Sequence, residues 1–377
     1  HVLIQALCRR ADNGEVRDLH FHHFHTEGPA PYSEPRYDGI FFDQGFFLGP
    51  NVRANVNAGY ADYLPVHLGE SQKLYRSGAL RCDVAMVQVS LPDENGMFSL
   101  GTSVDCSLAA VESAGTVIAV VNENVPYAYG DLVSPGLIDY LVKDNTPLVT
   151  KAFAEPDETE KLIGKNCAEL VPDGACLQMG IGALPNALAA ALTDHKNLGL
   201  HTEMFADGIL NLIKKGVING MHKKIDTGKV VASFLLGSEE VYKFIDHNPD
   251  VLMKDIKYTN DPWIISQNPE MMAINSATEV DLTGQISADS IGTRIFSGTG
   301  GQVDFVRGAT MSDGGKSVTA FASRTKKGQT KIVPVLNPGA GVVTPRADAH
   351  WIVTEYGAVD LYGKSGKGQT AHQHCPS

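Results

Sequence analysis

The hydrophobic positions along the chain follow two alternating patterns, and this alternation predicts an α/β fold. Short runs rich in β-branched residues are typical of buried strands. They occur at Val84–Ser90, Thr116–Val121, Ala175–Met179, Val230–Leu235, Met272–Ser276, Lys331–Val335 and His350–Val353. Apolar residues at helical spacing occur at Leu137–Lys143, Glu158–Leu170, Pro185–Leu192, Ile209–Lys215 and Glu239–Phe244. Strands that alternate with helices form mostly parallel sheets covered on both faces.

A break in this pattern predicts a boundary between two domains. The apolar run that ends at Thr150 is followed by Pro156 and by an acidic stretch typical of a helix start. A chain of 377 residues is also long for a single domain. We therefore expect one domain over residues 1–152 and a second over residues 153–377.

Composition and charge narrow the class of protein. A hydrophobic content of 43% is enough for a core in each half, but no run approaches the roughly 18 apolar residues of a membrane helix. The net charge of -12 argues against nucleic acid as a partner, although a small anionic ligand needs only local donors. The six cysteines are scattered, which is typical of a reducing compartment. The expected location is the cytoplasm, or the mitochondrial matrix if a transit peptide once preceded His1.

Glu203 is the first candidate for a functional residue. It lies in the segment LGLHTEMFADG, which we interpret as a strand end, a turn and the start of a helix. Ligands of α/β proteins bind at the carboxyl ends of strands, where this carboxylate is predicted to lie. The alternative is a solvated loop carboxylate beside the next helix.

Two glycine-rich segments offer backbone N–H groups to a ligand. Gly180 and Gly182 stand between a predicted strand and a helix, where unpaired N–H groups can bind an anion. Gly298, Gly300 and Gly301 open a polar stretch over residues 294–330 that we predict to be a long functional loop. Their N–H groups can form an oxyanion hole. Tight turns in the first segment and a flexible hairpin in the second are the alternatives.

Side-chain amides beside apolar strand residues form the next group of candidates. Gln267, Asn268 and Asn275 lie in one such segment. Buried amides must find hydrogen-bond partners, so these residues either tie loops together or face a ligand.

Four histidines lie close together within residues 20–25. A metal site needs three or four converging ligands, and the sequence offers no cysteine or acidic partner at ligand spacing. We therefore predict no metal here and interpret the histidines as polar strand positions.

Taken together, these segments resemble the acetyl-CoA hydrolase/transferase family, and most closely its 4-hydroxybutyrate and butyrate:acetate CoA-transferases. The resemblance covers nearly the whole chain. It is carried by residues 30–70, GIGALPNAL, LGLHTEMFADGILNLIKKGVI, QNPEMMAINSATEVDLTGQ, GTGGQVDF and TEYGAVDLYGKS, in that order. The resemblance implies two similar open α/β domains with mostly parallel sheets and an active site in the cleft between them.

The resemblance also implies roles for particular residues. The family's catalytic glutamate falls on Glu203, and the glycine of its oxyanion hole falls on Gly301. The amide of that hole falls on Gln267 or its neighbour Asn268, because the family has an asparagine where this chain has Gln267. Residues expected to bind the substrate are Gly180, Gly182, Met204, Asn275, Gly298 and Gly300.

The expected activity is transfer of coenzyme A between an acyl-CoA and a small carboxylic acid such as acetate, butyrate, succinate or 4-hydroxybutyrate. It would proceed by ping-pong kinetics through a thioester of Glu203 with CoA. Coenzyme A is then a substrate, no cofactor is bound permanently, and a homodimer or higher homo-oligomer is expected. The alternatives are an acyl-CoA hydrolase and a non-catalytic acyl-CoA-binding protein.

Overall fold

The computed structural model describes residues 2–365 of the chain. The α-helices in this part are α1 Val2–Asp12, α2 Pro50–Ala58, α3 Leu68–Arg76, α4 Ser107–Ser113, α5 Glu158–Ala168, α6 Ala183–Ala191, α7 Asp207–Lys214, α8 Glu239–Ile245, α9 Ile256–Thr259, α10 Pro262–Ser266 and α11 Gln302–Met311. Short 3-10 helices cover Pro31–Ser33, Pro35–Tyr37 and Pro135–Leu137.

The strands are mostly short and alternate with these helices. They are β1 Leu19–His23, β2 Phe41–Gly45, β3 Asp62–Tyr63, β4 Val84–Val89, β5 Phe98–Ser99, β6 Thr116–Val121, β7 Tyr129–Gly130, β8 Leu132–Val133, β9 Tyr140–Lys143, β10 Cys176–Met179, β11 Gly199–His201, β12 Met204–Phe205, β13 Val230–Ala232, β14 Phe234–Leu235, β15 Val251–Met253, β16 Met271–Asn275, β17 Glu279–Asp281, β18 Ile286–Ser287, β19 Ser290–Ile291, β20 Arg294–Ile295, β21 Lys316–Ala320, β22 Ile332–Val333, β23 Trp351–Thr354 and β24 Gly357–Asp360.

The largest sheet has nine strands within the described residues, in the order β24-β23-β21-β16-β10-β11-β13-β15-β7. Adjacent strands of this sheet run parallel, except for the antiparallel pair β23–β24. Every residue of β10, β11 and β13 is buried, as expected for strands covered on both faces. The edge strand β7 comes from the first 152 residues, so the two halves of the chain share this sheet.

Smaller sheets make up most of the first half of the chain. Strands β1, β2 and β3 form one parallel sheet, and β4, β6 and β9 form another. The second of these packs into the same hydrophobic core as the large sheet, through Val87, Val89 and Ala119. The structure therefore confirms the predicted mixed α/β fold with mostly parallel sheets.

Most of the predicted elements are confirmed, with two clear exceptions. The predicted helix Leu137–Lys143 is wrong, because Tyr140–Lys143 instead pairs with β6 as the edge strand β9. The predicted long loop over residues 294–330 is also wrong, since it contains the helix α11 and the buried strand β21. Of the helices in residues 2–365, none has the length and apolar character needed to cross a membrane.

Candidate active site

The candidate site lies where the strand order of the large sheet reverses. From β10, successive strands are added on one side as β11, β13 and β15, and on the other as β16, β21 and β23. Crevices in open parallel sheets form at the carboxyl ends of strands at such a reversal. The residues that follow β10 and β11 and the end of β16 therefore meet at one place.

The main chain at Glu203 is held rigidly between the strands β11 and β12. The Glu203 carbonyl accepts hydrogen bonds from Ser233 N at 2.9 Å and from Phe234 N at 3.0 Å. The preceding Thr202 hydroxyl donates to the Met179 carbonyl at the end of β10, at 3.1 Å. These bonds fix the position from which the Glu203 side chain leaves the backbone.

The Glu203 carboxylate contacts one amide and one glycine. Asn260 Nδ2 donates to Glu203 Oε2 at 2.9 Å. Gly301 lies so close that a Cβ at this residue would overlap Glu203 Oε2 and would stand 3.0 Å from Glu203 Cδ. The φ of Gly301 is -98°, which any residue can adopt, so glycine is needed here for space alone.

The surroundings of Glu203 raise its pKa to about 7. Loss of hydration is the largest cause, since a carboxylate is favoured less than a carboxylic acid away from water. The hydrogen bond from Asn260 lowers the pKa and the nearby Asp304 carboxylate raises it. The side chain therefore titrates near neutral pH: it is a carboxylate in mildly alkaline solution and a carboxylic acid in mildly acidic solution.

His201 joins the strand β11 to the turn that carries Asn260. Its ring is fully buried, and its Nε2 lies 2.9 Å from the carbonyl oxygen of Thr259, the residue before Asn260. Because a carbonyl only accepts, Nε2 carries the proton. Burial lowers the pKa of His201 to about 4, so the ring is neutral at physiological pH.

The glycine loop before α11 packs against the first half of the chain. Gly298 has a φ of +119°, and a Cβ there would lie 2.9 Å from the Phe46 carbonyl oxygen. The Gly300 carbonyl accepts a hydrogen bond from Leu68 N at 3.0 Å. Gly301, which contacts Glu203, is thus held by segments from both halves of the chain.

The other predicted binding residues lie at the ends of neighbouring strands. Asn275 ends β16, and its side chain exchanges hydrogen bonds with Gln178 of β10 at 3.2 and 3.4 Å. Gly180 and Gly182 follow β10, and a Cβ built on either would meet open space beyond its immediate chain neighbours. Met204 is partly buried in β12, next to Glu203. Their contacts with substrate stay predictions.

The amide beside Glu203 is Asn260 rather than Gln267 or Asn268. Gln267 is exposed at the end of α10. Asn268 is fully buried, but its Oδ1 accepts from the main-chain N–H groups of Lys224 and Ile225 at 3.2 and 3.4 Å. Neither residue has a hydrogen bond to Glu203 within residues 2–365.

Asn260 was missed because its sequence context indicates a different role. It precedes Asp261 and Pro262, which cap and begin α10, and an asparagine there is typical of a turn. In the structure it is 1% exposed and links α9 to α10. The signal that could have identified it is its place in the same amide-rich segment as Gln267 and Asn268.

The histidines of residues 20–25 form separate pairs, three with carboxylates and His22 with the amide of Gln44. His23 Nε2 lies 2.8 Å from Asp43 Oδ1, and His25 Nε2 lies 2.6 Å from Glu27 Oε1. No group of three or more potential metal ligands occurs in the described part of the chain.

The raised pKa of Glu203 predicts that its replacement by glutamine stabilises the protein in alkaline solution. Because the folded-state pKa is above the usual 4.5, the stability contributed by the protonated group is lost as pH rises through about 7. Glu203→Gln removes this loss, so we expect the free energy of unfolding to rise by up to about 3 kcal/mol at pH 8.5. Urea unfolding of the wild type and the variant at pH 8.5 and pH 4.5 measures this difference in the free energy of unfolding. An equal gain in stability at both pH values would contradict the pKa assignment.

The comparisons with known proteins agree over nearly the whole length of the chain. Models of the N-terminal and C-terminal domains of acetyl-CoA hydrolase/transferases match residues 1–152 and 237–372. The succinyl-CoA:acetate/propanoyl-CoA:succinate CoA transferase of Fasciola hepatica is 45% identical over 98% of this chain and 78% of its own length. The 4-hydroxybutyrate coenzyme A transferase of Clostridium kluyveri is 42% identical over 96% of this chain and 85% of its own.

Solved structures show the same relationship. The crystal structure of RipA from Yersinia pestis superimposes with a TM-score of 0.92 at 33% identity, and the match covers 98% of this chain and 86% of that one. Sequence and structure therefore agree that the chain belongs to the acetyl-CoA hydrolase/transferase family.

Proposed function

We propose that the protein transfers coenzyme A between an acyl-CoA thioester and a small carboxylic acid, with Glu203 as the covalent carrier. The observation that carries this proposal is the contact of the Glu203 carboxylate with Asn260 and Gly301 at the carboxyl end of a parallel sheet. Both relatives described above are named as transferases of coenzyme A, which supports the same reaction class.

The first half-reaction begins with attack by a Glu203 oxygen on the thioester carbonyl carbon. The bond to sulfur breaks, and the CoA thiolate leaves behind a mixed anhydride of Glu203 and the acyl group. The thiolate then attacks the glutamyl carbonyl, the anhydride C–O bond breaks, and the carboxylate product is released. Glu203 is now a thioester with CoA, and an acceptor carboxylate runs the same steps in reverse. No net proton transfer is required.

The position of Asn260 suits the second attack in this sequence. When the thiolate adds to the glutamyl carbonyl, negative charge develops on a Glu203 oxygen, and Asn260 Nδ2 already lies 2.9 Å from Oε2. Donors aimed at a developing oxyanion are worth about 3–4 kcal/mol each. A second donor from the Gly301 N–H is part of the proposal, supported by the closeness of that residue to the carboxylate.

The raised pKa of Glu203 suits this chemistry near neutral pH. Partial loss of hydration leaves the carboxylate less stabilised and so more reactive toward an activated carbonyl. The proposed steps use protein groups only, with acyl-CoA and a carboxylate as substrates and no permanently bound cofactor. The proposal also includes that the protein is a homo-oligomer located in the cytoplasm.

An acyl-CoA hydrolase is the second candidate, because water can replace the acceptor acid at the glutamyl thioester. The partial burial of Glu203 favours the transferase, since a nucleophile held away from bulk solvent protects its acyl and thioester intermediates. CoA release that needs no added carboxylate would identify the hydrolase.

Chemical trapping tests the covalent role directly. We expect incubation with acyl-CoA and then borohydride or hydroxylamine to change the mass of the peptide containing Glu203. The same treatment without acyl-CoA is the control. An active enzyme that yields no adduct at Glu203 would overturn the proposal.

A further inference from the structure

Asp304 lies behind the amide that contacts Glu203. Asp304 lies in the first turn of α11 and is 7% exposed to solvent. Its Oδ2 accepts hydrogen bonds from Gly69 N at 2.9 Å and from Asn260 Nδ2 at 3.0 Å. The same Asn260 nitrogen donates to Glu203 Oε2, so one amide group bridges two carboxylates.

This arrangement determines which end of the Asn260 amide faces Glu203. A primary amide has a donating nitrogen at one end and an accepting oxygen at the other. A rotated amide would turn its oxygen toward two carboxylates and lose both hydrogen bonds. On the opposite side, the Asn260 Oδ1 accepts from the Thr259 hydroxyl at 3.1 Å. All three contacts therefore favour the orientation in which the donor points at Glu203.

We propose that Asp304 is a positioning residue of the site, whose carboxylate holds the Asn260 amide as a donor toward Glu203. The proposal rests on the function proposed above. It assigns Asp304 no contact with substrate, because its bonds are to Asn260 and Gly69.

Charge gives Asp304 a second effect on the same carboxylate. Its negative charge contributes to the raised pKa of Glu203. Burial is the main cause that raises the pKa of Asp304 itself to about 6, so the group is ionised in mildly alkaline solution. Two titratable groups of the neighbouring segment also affect the pKa of Asp304, since His67 lowers it and Glu70 raises it.

A purely structural role is the competing explanation. The bond to Gly69 joins α11 to the start of α3, and an acidic residue in the first turn of a helix is favourable by itself. On that explanation, loss of Asp304 lowers stability but leaves the turnover of the folded enzyme unchanged.

Two substitutions separate hydrogen bonding from charge. Both accepted bonds end on the same oxygen, Oδ2, so the single carbonyl oxygen of Asp304→Asn can keep both. We expect D304N to keep kcat within about threefold of the wild type at pH 8.5 and to move the acidic limb of kcat/KM to lower pH. Asp304→Ala loses the acceptor, and we expect its kcat to fall by about 10- to 100-fold, with a smaller change in KM for acyl-CoA.

The decisive measurement is a double-mutant cycle with Asn260→Ala. If Asp304 acts through Asn260, D304A in the N260A background costs almost nothing further in kcat. Losses that multiply, or a folded D304A enzyme with wild-type kcat, would overturn the proposal. Thermal unfolding of each variant shows whether the fold is kept. Trapping on wild-type Glu203 separates the two proposals, since a missing adduct counts against the covalent mechanism alone.

Discussion

Replacing Glu203 by glutamine is expected to lower kcat for CoA exchange by at least about 10⁴-fold, the scale seen when a covalent nucleophile is removed. The amide is nearly the same size and can still accept from Asn260 through its carbonyl oxygen. It has no anionic oxygen to attack a thioester, so neither the anhydride nor the glutamyl thioester can form. The readout is the exchange rate between an acyl-CoA and a labelled carboxylate, together with mass spectrometry of the trapped peptide.

A glutamate in a similar setting provides the matched control. Glu279 is 5% exposed and accepts from Asn337 Nδ2 at 2.5 Å and from Asn337 N at 2.8 Å. Glu279→Gln makes the same chemical change outside the site, and we expect it to leave exchange near the wild-type rate. Glu203→Asp keeps the carboxylate on a side chain that is shorter by one methylene. We therefore expect an intermediate loss of kcat, of roughly 10²-fold. Wild-type exchange by Glu203→Gln would exclude Glu203 as the carrier.

The sequence patterns predict the buried strands well because strands inside a parallel sheet are apolar at most of their positions. Residues 116–121 and 176–179 are examples, and their strands fall within one residue of the prediction. The edge strand Tyr140–Lys143 is different, because its residues are mostly exposed and the apolar spacing of Leu137–Lys143 also fits a helix. Its pairing with β6 decides the outcome, and such long-range pairing cannot be read from a local pattern.

Part of the candidate site could also be predicted from local sequence segments, and the rest depends on contacts between distant residues. Glu203 and Gly301 lie in short, distinctive segments, and the resemblance of these segments to the CoA-transferase family predicts their roles. Asn260 and Asp304 gain their meaning only from a shared hydrogen-bond network across residues distant in sequence. One is a turn residue in sequence terms and the other an acidic residue early in a helix. Neither pattern indicates that a single amide nitrogen joins them.

Gly301→Ala is expected to lower kcat by about 10²- to 10³-fold while changing stability little. The atoms that a Cβ would overlap belong to the side chains of Glu203 and Asn260, and the backbone conformation at residue 301 suits alanine. Both overlapping groups are the ends of side chains, so the Glu203 carboxylate and the Asn260 amide can move aside while the main chain keeps its path. A displacement of about 1 Å at a reacting group costs on the order of 10²-fold in rate, and the nearby donor is displaced as well.

A double variant tests whether this loss comes from crowding of the carboxylate. Glu203→Asp shortens the side chain and opens space for the new methyl group, so adding Gly301→Ala to it is expected to cost much less than in the wild type. Gly136→Ala is the control, because a Cβ at Gly136 would only meet the Ser134 hydroxyl oxygen, at an ordinary contact distance of 3.7 Å. Additive losses in the double variant would mean that Gly301 acts on the rate by some route other than its contact with Glu203. Equal losses for Glu203→Asp alone and for the double variant would place the whole effect of the glycine in that contact.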